Sequence, residues 1–272
     1  GLIPAGEDGT YLQFFNLWRN HISDNSIIKI NNTVFPLWKE VAVAQMANAT
    51  LVAPIVYLGN AANIDTLQID IKNKVVAIEA SSKGINTNVS LPTWRYSRSV
   101  LTKYGMPLIR KGAVAIIIIA DDIAEKAWDD AAENFKRGTY DIDGGANTTV
   151  TTTVPVLWLH SNAKSLLQNN TAFINAHMEV NRFTYPSVNI IGKINGTDPT
   201  LKDEYVLYSG HQDAHGIRNA HNNDSTYYGA DDNASGVTGV LELAQYFSDK
   251  EHLKELKKPL YFAVWSGEEE GV

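Results

Sequence analysis

Residues 204–213 read EYVLYSGHQD, residues 229–248 read GADDNASGVTGVLELAQYFS, and residues 259–271 read PLYFAVWSGEEEG. The first and last open with short apolar runs rich in aromatic and aliphatic residues, which is strand texture. Between them, Val237, Val240, Leu241, Ala244 and Phe247 recur at the i, i+3, i+4, i+7 spacing of an amphipathic helix over Gly236–Ser248. Strand, helix and strand in that order predict a parallel α/β sheet. The unbroken run PLYFAVW predicts a strand covered on both faces.

Working outward, PIVYL (54–58), KVVAI (74–78), AVAIIII (113–119) and VPVLWL (154–159) read as further strands. Trp94–Ile109 and Ile123–Arg137 read as helices between them. His177–Val180 and Ser187–Ile194 read as strands, and Ile27–Val34 is strand-like. Thr139–Thr153, rich in Gly, Thr, Asn and Asp, reads as a loop. Near the start, Leu12, Phe15, Leu17 and Trp18 fall at roughly helical spacing, which predicts an opening helix over Tyr11–Ser23.

The chain has 272 residues, 44% of them hydrophobic and 19% charged, the mix of a globular protein. No apolar run approaches the ~20 residues of a membrane helix. There is no cysteine, so disulfides, thiolate metal sites and cysteine nucleophiles are excluded together. The net charge of −7 arises after Leu201, where six Lys and Arg face thirteen Asp and Glu; the first 200 residues balance. That argues against nucleic-acid binding, which needs a basic face. It leaves either a solvated acidic surface or a cation site.

Both apolar strands run directly into chemistry-bearing residues: His211-Gln212-Asp213 after one, Ser266-Gly267-Glu268-Glu269-Glu270 after the other. Ligands of open α/β sheets bind outside the carboxyl ends of strands. Asp231-Asp232 stand just before the helix, which Ser235 is placed to cap. Adjacent carboxylates repel unless a cation neutralises them. One His among several carboxylates suits zinc or another first-row ion, and a carboxylate free of the metal can act as general base.

GHQD, then GADDNASG with its helix, then a strand ending in GEEEGV resembles the zinc aminopeptidase family. That family also holds glutamate carboxypeptidase-type and other co-catalytic zinc exopeptidases. The resemblance runs from about Ser187 to Val272. It implies an α/β fold with a mixed, largely parallel sheet flanked by helices, and two zinc ions per complete site. By the same resemblance His211 is a ligand of one zinc, Asp231 bridges both, and Glu269 binds the other. Glu268 is then the general base and Asp213 the carboxylate that orients His211, while Asp232 follows Asp231 across a cis bond. The implied activity is hydrolysis of peptide bonds at chain ends, with an aminopeptidase foremost. A carboxypeptidase, a dipeptidase or a non-catalytic binding ectodomain of the same fold are the alternatives.

Residues 46–170, through PIVYLGN, DIKNKVVAIEA, LIRKGAVAIIIIADD and VPVLWLHSNAKSLL, resemble an inserted, β-rich protease-associated domain. The expected organisation is therefore 1–45 and 171–272 as peptidase domain around that insert. His160 and His177 are expected to be structural, and Trp94, Trp128 and Trp158 core or interface residues. His215 stands two positions after Asp213, where relatives often place a His directly after that Asp. His215 and His221 are candidates for adventitious ligands or substrate contacts. The family pattern needs a later Asp or Glu and a late His, so the expectation is a fragment, inactive alone, whose partner is the missing part of the peptidase domain. Its substrate is a peptide. A secreted or periplasmic protein is expected, with the signal peptide absent from this sequence. Asn-x-Ser/Thr sequons occur at Asn31, Asn48, Asn88, Asn147, Asn169, Asn195, Asn223 and Asn233.

Overall fold

A computed structural model describes residues 1–60, 68–82, 94–142, 154–169, 171–221 and 223–271. The chain divides into two compact units. One comprises Gly1–Trp18, Tyr140–Asn147 and Thr184–Val272; the other comprises Arg19–Thr139 and Thr148–Phe183. The architecture is mixed α/β in both. Among the described residues no helix is long and apolar enough to cross a membrane.

The strands Val206–His211, Leu260–Trp265, Val180–Ile194, Leu12–Ile22 and Thr139–Ile142 follow one another across a sheet, with Ile3–Pro4 paired to Val180–Ile194. Val206–His211 and Leu260–Trp265 are parallel, as the strand–helix–strand order requires. Val180–Ile194 runs antiparallel to Leu260–Trp265, so the sheet is mixed. The helix Gly236–Phe247 lies against the parallel pair. Val240 and Ala244 bury with Ile194, Leu260 and Phe262, and Tyr208, Leu243 and Phe247 close over them. Tyr208 stacks on Phe262 with ring centroids 5.8 Å apart. Leu241, which the helical spacing assigns to the buried face, is instead exposed.

The approach of helix to sheet depends on one small residue. A Cβ on Gly210 would stand 3.0 Å from the Val237 nitrogen and 3.1 Å from the Gly236 carbonyl carbon. Backbone, unlike a flexible side chain, cannot swing away from such a contact.

The second unit holds an eight-stranded sheet. Its strands lie in the order Thr33–Val34, Ile27–Ile30, Phe173–Met178, Ala49–Asn60, Val75–Glu79, Ala115–Ile119, Val156–Leu159, Val41–Gln45. The four from Ala49–Asn60 to Val156–Leu159 are parallel, and antiparallel strands flank them. The run AIIII shows why. Ala115, Ile117 and Ile119 enter one core cluster, Ile116 and Ile118 the other, so both faces are dry. Strands 27–30, 33–34, 41–45 and 173–178, outside the 46–170 span, pair into this same sheet.

Two local expectations fail. Tyr11–Ser23 is no helix: Leu12–Ile22 is a strand between Val180–Ile194 and Thr139–Ile142. Four apolar residues are too short a pattern to fix a period, and cross-strand pairing overrides local spacing. The predicted loop 139–153 begins as the strand Thr139–Ile142, and its remainder, 143–153, lies outside the described residues. The predicted helices Trp94–Ile109 and Ile123–Arg137 form, the second as Asp122–Lys126 and Trp128–Arg137. Asn88 and Asn147 lie outside the described residues.

Ile117 is fully buried in the second unit. Ile117→Ala is expected to destabilise that unit by about 2–5 kcal/mol, read as a lower urea midpoint at unchanged slope.

Candidate metal centre

In-register parallel pairing sets the site. Val206 pairs with Leu260 and His211 with Trp265, so both strands end level. The Gln212 amide donates to the Trp265 carbonyl at 2.8 Å and extends the ladder one step. His211 and the turn after Trp265 therefore emerge side by side. Asn189 accepts from the Ser266 amide at 2.9 Å and anchors that turn from the neighbouring strand. Gly267, at φ 94°, then turns the chain in a left-handed conformation that a side chain would strain.

Glu268–Glu270 form one 3-10 turn. Its leading amides would lack partners, and Asp213 supplies them. The Asp213 carboxylate accepts from the Glu269 amide at 3.0 Å and from the Glu268 amide at 3.4 Å. The expected role of Asp213 was to orient His211. Its carboxylate does stand 3.6 Å from His211 Nδ1, but the Asp213 carbonyl is nearer, at 3.0 Å. One residue thus holds both halves of the site.

His211 is 6% exposed. A carbonyl can only accept, so Nδ1 carries a proton and donates to Asp213 O. Nε2 then faces two carboxylates, Asp232 Oδ1 at 3.0 Å and Glu268 Oε2 at 3.4 Å. A neutral imidazole would aim a lone pair at both anions. Burial pushes the His211 pKa down, but the Asp213 carbonyl and the carboxylates of Glu268, Asp213 and Asp232 outweigh it and hold the pKa above the ordinary histidine value. A cation between Nε2 and the carboxylates, proton or metal, resolves the conflict.

Donor atoms of His211, Asp232 and Glu269 lie within 4.8 Å of one another. Asp232, not Asp231, thus joins His211 and Glu269. The Asp231 side chain is exposed, and its carbonyl accepts from the Ser235 hydroxyl at 2.6 Å. The cis peptide is likewise one residue later than expected, between Asp232 and Asn233. Residues 232 and 233 depart from helical backbone angles within the loop, and the Asp232 carboxylate meets His211. The spacing of two adjacent Asp residues could not separate them. Ser235 does not cap the helix; Asn233 does, its Oδ1 accepting from the Gly236 amide at 3.0 Å.

Glu269 is largely covered, and burial raises its carboxyl above the ordinary value, offset in part by the neighbouring His215. His215 Nδ1 lies 3.1 Å from Glu269 Oε2, beside the site and outside the three-residue group. The His221 side chain lies outside the described residues. In the second unit, His160 stacks on Trp128 at 3.7 Å and meets Glu125 at 2.7 Å. His177 meets the Thr50 hydroxyl at 3.1 Å. Trp128 and Trp158 are buried in the core; the Trp94 side chain lies outside the described residues.

One imidazole and two carboxylates are a nitrogen–oxygen donor set of the kind that zinc accepts, with room for a further ligand. The residues present therefore fit a zinc ion.

Residues 189–272 match the family model described as Peptidase family M28. Comparison with curated proteins finds no match. Among solved structures the chain is similar to an aminopeptidase from Aneurinibacillus sp. strain AM-1, at 18% identity and a TM-score of 0.46, covering 96% of this chain and 54% of that one. It is similar to a zinc aminopeptidase from Bacillus subtilis, at 18% identity and a TM-score of 0.42, covering 95% and 51%. A Peptidase M28 precursor from Shewanella amazonensis follows, at 18% identity and a TM-score of 0.40, covering 94% and 54%. The chain spans about half the length of these structures. The stretch that is similar to Peptidase family M28, residues 189–272, is the one that carries the carboxylate-ringed histidine.

Proposed function

We propose that the complete protein is a zinc-dependent exopeptidase, acting as an aminopeptidase, whose metal is held by His211, Asp232 and Glu269. The observation that carries this reading is the buried His211 Nε2 facing the Asp232 and Glu268 carboxylates at 3.0 and 3.4 Å. Asp232 takes the bridging place that the sequence expectation gave Asp231. In keeping with the expectation, the complete site holds two ions, and the eight-stranded sheet that includes strands of residues 46–170 acts as the protease-associated insert.

When bound, zinc supplies Lewis acidity and makes a coordinated water more acidic. Glu268 is then the general base. Its side chain is 62% exposed, its backbone is fixed by Asp213, and its carboxylate stands beside the ligand nitrogen without belonging to the three-residue group. It takes the proton from the attacking water and returns it to the leaving amine. Asp213 keeps the proton on His211 Nδ1 by presenting its carbonyl, which leaves Nε2 free to bind metal.

Asp232→Asn is expected to weaken zinc binding, measured by competition with a chromogenic chelator, while Asp231→Asn stays close to the parent. The reverse order would return the bridging role to Asp231. In the complete protein, Glu268→Gln is expected to lower turnover by at least ~100-fold with zinc content retained, as loss of a general base requires. Turnover near that of the parent removes Glu268 from this role. Hydrolysis of amino-acid p-nitroanilides, with N-blocked peptides left intact, checks the aminopeptidase assignment; cleavage of the blocked peptides alone would overturn it.

A further inference from the structure

Glu268, Glu269 and Glu270 place three carboxylates on one turn, which is unfavourable unless each finds a partner. Each does, and all three partners come from one short segment. His211 Nε2 lies 3.4 Å from Glu268, His215 Nδ1 3.1 Å from Glu269, and Arg218 Nη2 3.5 Å from Glu270. The segment therefore matches the triplet residue by residue, in the same chain order.

Arg218 also reaches His215, with Nη2 2.9 Å from Nδ1. Arg218 and Glu269 thus converge on a single ring nitrogen. Nδ1 can accept from Arg218 or, in the other tautomer, donate to Glu269, one contact at a time, and the ring stands between the two side chains. Tyr227 meets the ring edge-on, with centroids 6.2 Å apart. Tyr227 belongs to the hairpin strand Asp224–Tyr227, which pairs with Gly216–His221, the strand carrying Arg218. Arg218 is mostly covered, as a brace must be.

We propose that His215 and Arg218 are positioning residues that sort the Glu triplet: Arg218 holds Glu270 away from the metal, and His215 aims Glu269 at His211 and Asp232. This rests on the metal reading above and extends it to residues outside the ligand group. Without the brace, three neighbouring carboxylates compete for one cation, and Glu269 loses its fixed direction. Partners of this kind, acting through a ligand, are typically worth about 10–100-fold in metal affinity.

The test is zinc affinity by chelator competition for the parent chain and for H215F, R218M, R218K, E270Q and the double variant H215F/R218M, each with its circular dichroism and urea midpoint. H215F and R218M are expected to bind zinc about 10–100-fold more weakly. R218K should recover most of the loss, because it restores the cation beside Glu270. The double variant should lose less than the two single losses combined, because Arg218 acts partly through His215. E270Q, which spares the ring, should also weaken binding by freeing Arg218 to pair with Glu269; it keeps the test open if H215F does not fold. Parental affinity in H215F and R218M, or equal losses in R218M and R218K, overturns the inference and leaves the metal reading standing. A parent chain that binds no zinc overturns both.

Discussion

The parallel pairing of Val206–His211 with Leu260–Trp265 is the constraint on which the site depends. His211 lies opposite Trp265 in that ladder, so two segments more than fifty residues apart end at the same level. A slip of one residue would turn His211 to the opposite face and carry the Glu turn away from it. The register is held because Leu260, Phe262 and Ile194 must stay buried beneath the helix Gly236–Phe247. Packing of apolar side chains thus sets the position of the polar ones.

At the strand ends the dominant physics is charge. His211, Asp213, Asp232 and the Glu triplet would be a costly set of neighbours if left to repel. The fold distributes them instead. Asp213 spends its carboxylate on the amides of Glu268 and Glu269 and its carbonyl on His211. Asn233 spends its side chain on the helix amide at Gly236, and the adjoining Asp232 remains for His211. What stays uncompensated is Nε2 facing carboxylate oxygens, which is where a cation belongs.

Local patterns were legible wherever they were long or chemically marked. The apolar runs at 54–58, 74–78, 113–119, 154–159 and 259–265 all contribute to strands, and the run at 115–119 is covered on both faces. The helix before PLYFAVW was legible from its 3.6-residue period. Tyr11–Ser23 was not, because its few apolar residues fit two periods and its partners in the sheet are distant in sequence. The core tryptophans Trp128 and Trp158 were legible as buried.

The motifs GHQD, GADDNASG and GEEEG already contained every residue of the candidate centre. Their residue types decided that the chemistry would use one imidazole and several carboxylates, without thiolate. Only the tertiary structure decided which carboxylate meets which partner. Asp231 and Asp232 are the same residue type one bond apart, and the path of the loop, not composition, turns Asp232 to His211. Likewise a run of three glutamates carries no internal label. Each acquires its direction from a partner at 211, 215 or 218, and those partners meet the triplet only when two strands pair in register.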